Sequence, residues 1–464
     1  MSVLGGLYFN HAIYFSVLVF YVLTSLFGQP VIDTSKPPLE IPAAVESTFA
    51  SCAVVDMTAN TILYEKDIEI ELSPTGSAVT LMTAYVAMSV TDSNTEIEIA
   101  SVPEIPAGSR VIGIRSGEVW NIDDLLAAML LHGAQDAAMI IADHIGNDTA
   151  DFITMMNVYS SDLGMEHTKY TSPHGAYDAE QYTTVSDMII LADAVCKNER
   201  LNTILSQSEY QPVGNHATIS NRLRFMNPGR TTYDSRVTGM GTGMTDQSGL
   251  NLIITATDGS RDLLVVAYSP TPEQSAGENA TIDLLDHFYT NYRLVDCTSI
   301  VTAMVQEYEG RLEDGSVFTC ALIEDEVLFV TDIALADTME SDTQGYSIQV
   351  DDASIEIQEY EQQIVHATVL YNHLFVKNLA LQINAPVPYA GMPLAPSAEE
   401  ESNEVEIQAT PAPTVVMDTR YFTQMQPKQS LLERMEWLFI IIGGFIVFSG
   451  VLILGLTLRK KIRS

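Results

Sequence analysis

The run SPTGSAVTLMTAYVAM, residues 73–88, sets a small polar turn directly before an apolar segment of helical length. Apolar residues keep helical spacing from Ala78 onward, so a helix starts beside Ser77 and carries Thr80 one turn later on the same face. Ser77 has two readings. As a helix N-cap, its hydroxyl accepts a hydrogen bond from a free backbone N–H. As a nucleophile, it sits where N–H groups and the helix dipole favour developing negative charge. A nucleophile also needs a base, and Thr80 cannot be one near neutral pH.

Outward from this segment, residues 40–290 mix helical and strand-like runs. DDLLAAMLLHGAQDAAMIIADHI (123–145) keeps helical spacing for several turns. SCAVVDMTANTILYEKD (51–67) reads as two strands around a turn at Ala59-Asn60, and LLVVAYS (263–269) as a short buried strand. Residues 295–390 change to alternation, as in YSIQVDDASIEIQEY (346–360) and HATVLYNHLFV (366–376), with no long helix. They predict a second, β-rich domain. Residues 391–436 include LAPSAEEESNEVEIQATPAPT, the composition of an acidic Pro/Glu/Ser stalk, in which Glu399, Glu400 and Glu401 lack calcium-loop spacing.

The chain's 464 residues suffice for two or three domains, and 47% hydrophobic against 18% charged residues exclude a disordered chain. Lys and Arg number 22 against 60 Asp and Glu, a net charge of −38. A field of that sign repels phosphate backbones, so nucleic acid is excluded as a partner. Residues 437–458, WLFIIIGGFIVFSGVLILGLTL, carry no charge and are long enough to cross a bilayer. The basic tail 459–464 follows directly, so the expected topology is single-pass in the cell membrane, with a cytoplasmic C-terminus and an extracytoplasmic bulk. Residues 1–29 read as a signal peptide or an N-terminal anchor. Cys52, Cys196, Cys297 and Cys320 are too dispersed for a metal site. Cys297 with Cys320 is the first disulfide to consider, and a buried free thiol is equally open at Cys52.

Two further segments, LLHGAQDAAMIIADHIGNDTADFITMMNVYSSDLGMEHTKYTSPHGAYDAEQYTTVSDMIILA (130–192) and RVTGMGTGMTDQSGLNLIITATDGSRDLLVVAYS (236–269), follow the Ser77 segment. In this order the three resemble the serine-type D-alanyl-D-alanine carboxypeptidases, the S11 peptidases among the penicillin-binding proteins. Family members read P-A-S-x-x-K-x-M-T, then L-L-x-S-[AG]-N-D-A-A, then G-x-K-T-G-x-T. The resemblance covers residues 40–290 and implies a β-lactamase/transpeptidase-like α/β domain, followed by a β-rich domain and a membrane anchor. The family's scaffold positions are kept at Asn157, Leu163, Gly164, His174, Gly175, Asp187 and Asn221.

The chemistry-bearing positions depart from the pattern. By resemblance Ser77 is the nucleophile, and Thr80 stands at the family's Lys. Gly133 and Gln135 stand at the Ser and Asn of the second motif, and Gly241 at the Lys of the third. The three motifs thus read S-A-V-T, G-A-Q and G-T-G. Loss of the base implies a rate penalty of about 10²–10⁴. Loss of the charge at 241, in so acidic a domain, implies that a substrate carboxylate is repelled. Thr242, Gly243 and Met244 remain as backbone contacts for substrate, with the N–H groups of Ser77 and Met244 as the oxyanion hole. His132, beside Gly133, is the one candidate for a substitute base. The resemblance therefore implies a catalytically impaired binding or scaffolding protein of the cell wall, with no cofactor and no metal. Its expected partner is a cell-wall peptide or a peptidoglycan-associated protein. The alternative is an active serine hydrolase with a reassigned base.

Overall fold

Strand β1 (Ser51–Asp56) is buried throughout and turns at Asn60, in the left-handed region, into β2 (Thr61–Lys66). This computed structural model describes residues 41–105, 108–213, 216–311, 317–357 and 363–384. The leader 1–29, the stalk 391–436, the span 437–458 and the tail 459–464 lie outside them. Among the described residues no helix is long and apolar enough to cross a membrane.

Helix α1 (Ser77–Val90) follows, with eleven consecutive residues, Ser77 to Ala87, buried. A helix apolar on every side belongs inside a core, and this one packs against the sheet and four other α-helices. The long helical run predicted over 123–145 is broken. Ile122–Ala127 is α-helical, Ala128–His132 widens into a π-turn, and Gly133 ends it with φ +76°. Helix α2 (Gln135–Ile145) then starts afresh. Only glycine adopts that backbone at little cost, so the break falls where the apolar periodicity gives no warning.

Strands β3 (Val237–Thr245), β4 (Gly249–Thr257) and β5 (Asp262–Ser269) complete an antiparallel sheet of order β2-β1-β5-β4-β3. Helix α3 (Gln274–Asn291) covers one face of it. At its far end Arg261 and Asp56, 3% and 0% exposed, form a buried ion pair at 3.2 Å. Arg261 also donates to the carbonyls of Phe288 (2.7 Å) and Tyr292 (3.1 Å), fastening the sheet to the C-terminus of α3.

A second antiparallel sheet is built by β6 (Glu309–Arg311), β7 (Val317–Leu322), β8 (Tyr346–Ile357), β9 (Gln363–Tyr371) and β10 (Leu374–Ile383), in the order β6-β7-β10-β9-β8. Its hairpin turns at Asn372-His373, inside the alternating run 366–376. Two short helices, Thr298–Glu307 and Ile333–Ser341, accompany it, and Val301, Val305, Ala336 and Met339 join its core. The Cys297–Cys320 disulfide is not formed. None of the four cysteines is in a disulfide, and Cys297 Sγ lies 3.4 Å from Tyr346 Oη. Burial pushes the Cys196 thiol up to about 12 and raises those of Cys52 and Cys297 as well, so none of these three is a ready nucleophile.

Candidate active site

Ser77 opens helix α1, while the cap position is Gly76. The N-cap reading of Ser77 is thereby corrected. Its hydroxyl, in a residue 9% exposed, donates instead to the carbonyl of Thr242 on the edge strand β3, at 3.3 Å. A peptide carbonyl takes no proton at neutral pH, so this partner cannot activate the oxygen. Thr80 lies one turn along, 6% exposed, facing the same cleft.

The turn before Ser77 is tied to the sheet. Thr75 Oγ1 lies 3.0 Å from Ser248 Oγ and accepts from Asn251 Nδ2 at 3.2 Å, and Ser248 in turn reaches Thr245 Oγ1 at 2.7 Å. On the opposite side Gly76 N–H donates to the Gly175 carbonyl at 2.8 Å. Strand β3 then passes so close that a Cβ on Gly241 would overlap Ser77 Oγ and stand 2.9 Å from Ser77 Cβ. A Cβ on Gly243 would overlap the carbonyl of Thr75. The missing side chain at 241 is therefore a matter of space as well as charge.

Gly133 faces a different neighbour. A Cβ there would stand 3.0 Å from Arg110 Nη1. Arg110 is carried by a loop fastened to the start of α2. Gln135 N–H donates to the Arg110 carbonyl at 2.8 Å, and Ser109 Oγ to Gln135 Oε1 at 2.5 Å. Buried Asp136 accepts from the N–H groups of Ile112 (3.2 Å), Gly113 (2.8 Å) and Ile114 (3.2 Å). One side of the Gln135 amide is thus committed to this loop.

His132 lines the same cleft and bonds to the Ser220 backbone. Burial, then nearby Arg222 and Arg110, hold its imidazole below the ordinary histidine value. It is accordingly neutral at pH 7, yet no hydrogen bond joins it to Ser77 among the described residues. His174 accepts the Ala176 N–H on Nδ1 at 3.1 Å, which gives it a turn-holding role. Asn157 and Asn221 likewise bond to backbone groups, and Asp187 accepts from the His167 N–H and the Thr168 hydroxyl.

Ser77, Thr80, His132, His174 and Asn221 meet in one cleft of about 900 Å³, which also includes Gly133, Gln135, Gly241, Thr242, Gly243 and Met244, whereas Asn157 and Asp187 do not line it. Among the described residues no Asp or Glu lines it, whereas Arg110, Arg222, Arg224 and Arg230 all do. The expectation that the acidic domain repels a carboxylate here took no account of these side chains: the charged groups lining the cleft are basic although the chain as a whole is acidic. Sequence reading passed over these arginines. Their trace is NRLRFMNPGR, residues 221–230, three arginines in ten residues of a chain poor in basic ones.

A serine at the first turn of a buried helix thus faces a glycine-bearing edge strand across the cleft. The D-alanyl-D-alanine carboxypeptidase (peptidase S11) family model matches residues 38–269, and the chain belongs to that family. It is 28% identical over 225 residues to the D-alanyl-D-alanine carboxypeptidase DacC of Escherichia coli, covering 46% of this chain and 54% of DacC. The match thus spans about half of that relative. In fold it is similar to penicillin binding protein 5 from Haemophilus influenzae (TM-score 0.59, 19% identity, 72% of this chain and 96% of that one). It is also similar to penicillin binding protein 6B from Escherichia coli (TM-score 0.55, 20% identity, 75% and 98%).

Proposed function

We propose that this protein binds carboxy-terminal cell-wall peptides without turning them over, as a catalytically impaired member of its family. The observation that carries this reading is the setting of Ser77. Its hydroxyl points at the Thr242 carbonyl, Thr80 offers no base, and Gly241 leaves no room for a charged side chain beside it. An unassisted serine hydroxyl is almost entirely protonated at pH 7, so acylation lacks its first step. The purified protein is expected to release no D-Ala from a pentapeptide and to form no penicilloyl adduct. Mass spectrometry of tryptic peptides reads the second result directly, and an adduct on Ser77 at ordinary β-lactam concentrations would refute it. The competing hydrolase reading, with His132 as base, requires such an adduct and its loss in His132→Ala.

The same reading places the peptide-binding part outside the cell, held by residues 437–458 with the basic tail 459–464 in the cytoplasm. Its support is the charge asymmetry around that apolar run. Protease added to intact cells should then remove everything before Glu436 and leave a short membrane-bound stub. Survival of the β-rich domain under that treatment would reverse the orientation.

A further inference from the structure

We infer that Arg110 and Arg222 form a seat for an oxyanion, a carboxylate or phosphate group, on the Gly133 side of the cleft, opposite the Gly241–Thr242 strand. The inference rests on the binding role proposed above only for which ligand carries that group; the seat itself follows from the arrangement of charge. In a chain of net charge −38 every lining charge of this cleft is positive. Arg224 is matched by buried Glu278 at 3.3 Å. Arg110 and Arg222 are matched by none: no described carboxylate pairs with either. They are near enough for Arg222, after burial, to lower the pKa of Arg110. Two like charges held together in a half-buried cleft repel each other, and an anion between them removes that repulsion.

The position is built, not incidental. Asp136 and Gln135 hold the Arg110 loop by five hydrogen bonds, which fixes the backbone from which the guanidinium extends. Arg222 is fixed through its N–H, which donates to the Leu131 carbonyl at 2.9 Å, one residue before His132. Gly133 supplies the space, since a side chain there would press on Arg110 Nη1. Planar guanidinium groups suit an oxyanion, which accepts paired N–H bonds from them.

Calorimetric titration of the full-length protein tests this with three probes: inorganic phosphate, an N-acylated peptide ending in D-Ala-D-Ala, and the same peptide as its C-terminal amide. Phosphate and the acid peptide are expected to bind, weakening as salt rises, with the amide weaker. Arg110→Gln and Arg222→Gln should each cost on the order of tenfold to a hundredfold in affinity. Without an anion, the double variant should melt no lower than the parent, because the repulsion is gone. Phosphate should raise the melting temperature of the parent alone. Arginine-dependent phosphate binding with no peptide binding would keep the seat and discard the cell-wall peptide. Equal binding of acid and amide, untouched by either substitution, would discard the seat and keep the peptide. Absence of binding by any of the probes at millimolar concentration overturns the seat.

Discussion

Arg261→Ala is expected to cost about 3–5 kcal/mol of stability, the range for removing one partner of a buried ion pair. The substitution strands Asp56 at 0% exposure, facing only backbone N–H groups, those of Ala59 (2.8 Å) and Thr58. It also leaves the Phe288 and Tyr292 carbonyls without their donor. The ring of Tyr289, with the guanidinium 5.5 Å from its centroid, loses a cation as well. Thermal unfolding of the purified protein should show a fall on the order of 10 °C. Asp56→Ala combined with Arg261→Ala should cost less than the sum of the two single changes, because the second removal leaves no buried charge behind. A loss under about 1 kcal/mol for Arg261→Ala would mean that water or another group reaches Asp56, and that the pair does not hold the sheet to α3.

Much of this fold is readable along the chain because its signals are local. The β1–β2 turn at Asn60, the start of α1 beside Ser77 and the alternation of 366–376 each depend on a few neighbouring residues. The break at Gly133 is different. Its cause is one positive φ inside an apolar run whose periodicity continues on both sides. The role of Ser77 was hidden for another reason. A serine before a helix fits a cap equally well, and only the approach of β3, 165 residues away, decides where its hydroxyl points. The charge of the cleft was the least legible feature. Net charge averages over the whole chain, whereas the field in a cleft depends on the few side chains that line it. Arg110 and Arg222 are 112 positions apart, and only the fold of the loop against α2 brings them together.

Putting the family's lysines back should not restore acylation. In the variant carrying Thr80→Lys and Gly241→Lys, no penicilloyl adduct on Ser77 is expected, and stability should fall by about 3 kcal/mol, the upper part of the range for overpacking a filled core. The reason is the path of β3. The first carbon of any side chain at 241 meets both Ser77 Oγ and Ser77 Cβ. Rotating the hydroxyl away relieves the first contact and leaves the second. The strand cannot simply withdraw, because Gly241 and Gly243 are paired with Ile253 and Asn251 in the sheet, and Asn251 holds Thr75. Either Ser77 is displaced from its helix turn or the strand buckles, and both spoil the geometry the new lysine would serve. Gly241→Ala separates space from charge, since it adds the same carbon with no ammonium. It should account for most of the lost stability, read as the shift in thermal midpoint. A stable double-lysine variant that acylates Ser77 would show that charge alone was missing, and that the close approach of β3 yields readily. Destabilisation by both Gly241→Ala and Gly241→Lys, with no adduct, would show that the cleft has closed around the glycine. Recovery of the hydrolase would then require moving the strand before replacing the base.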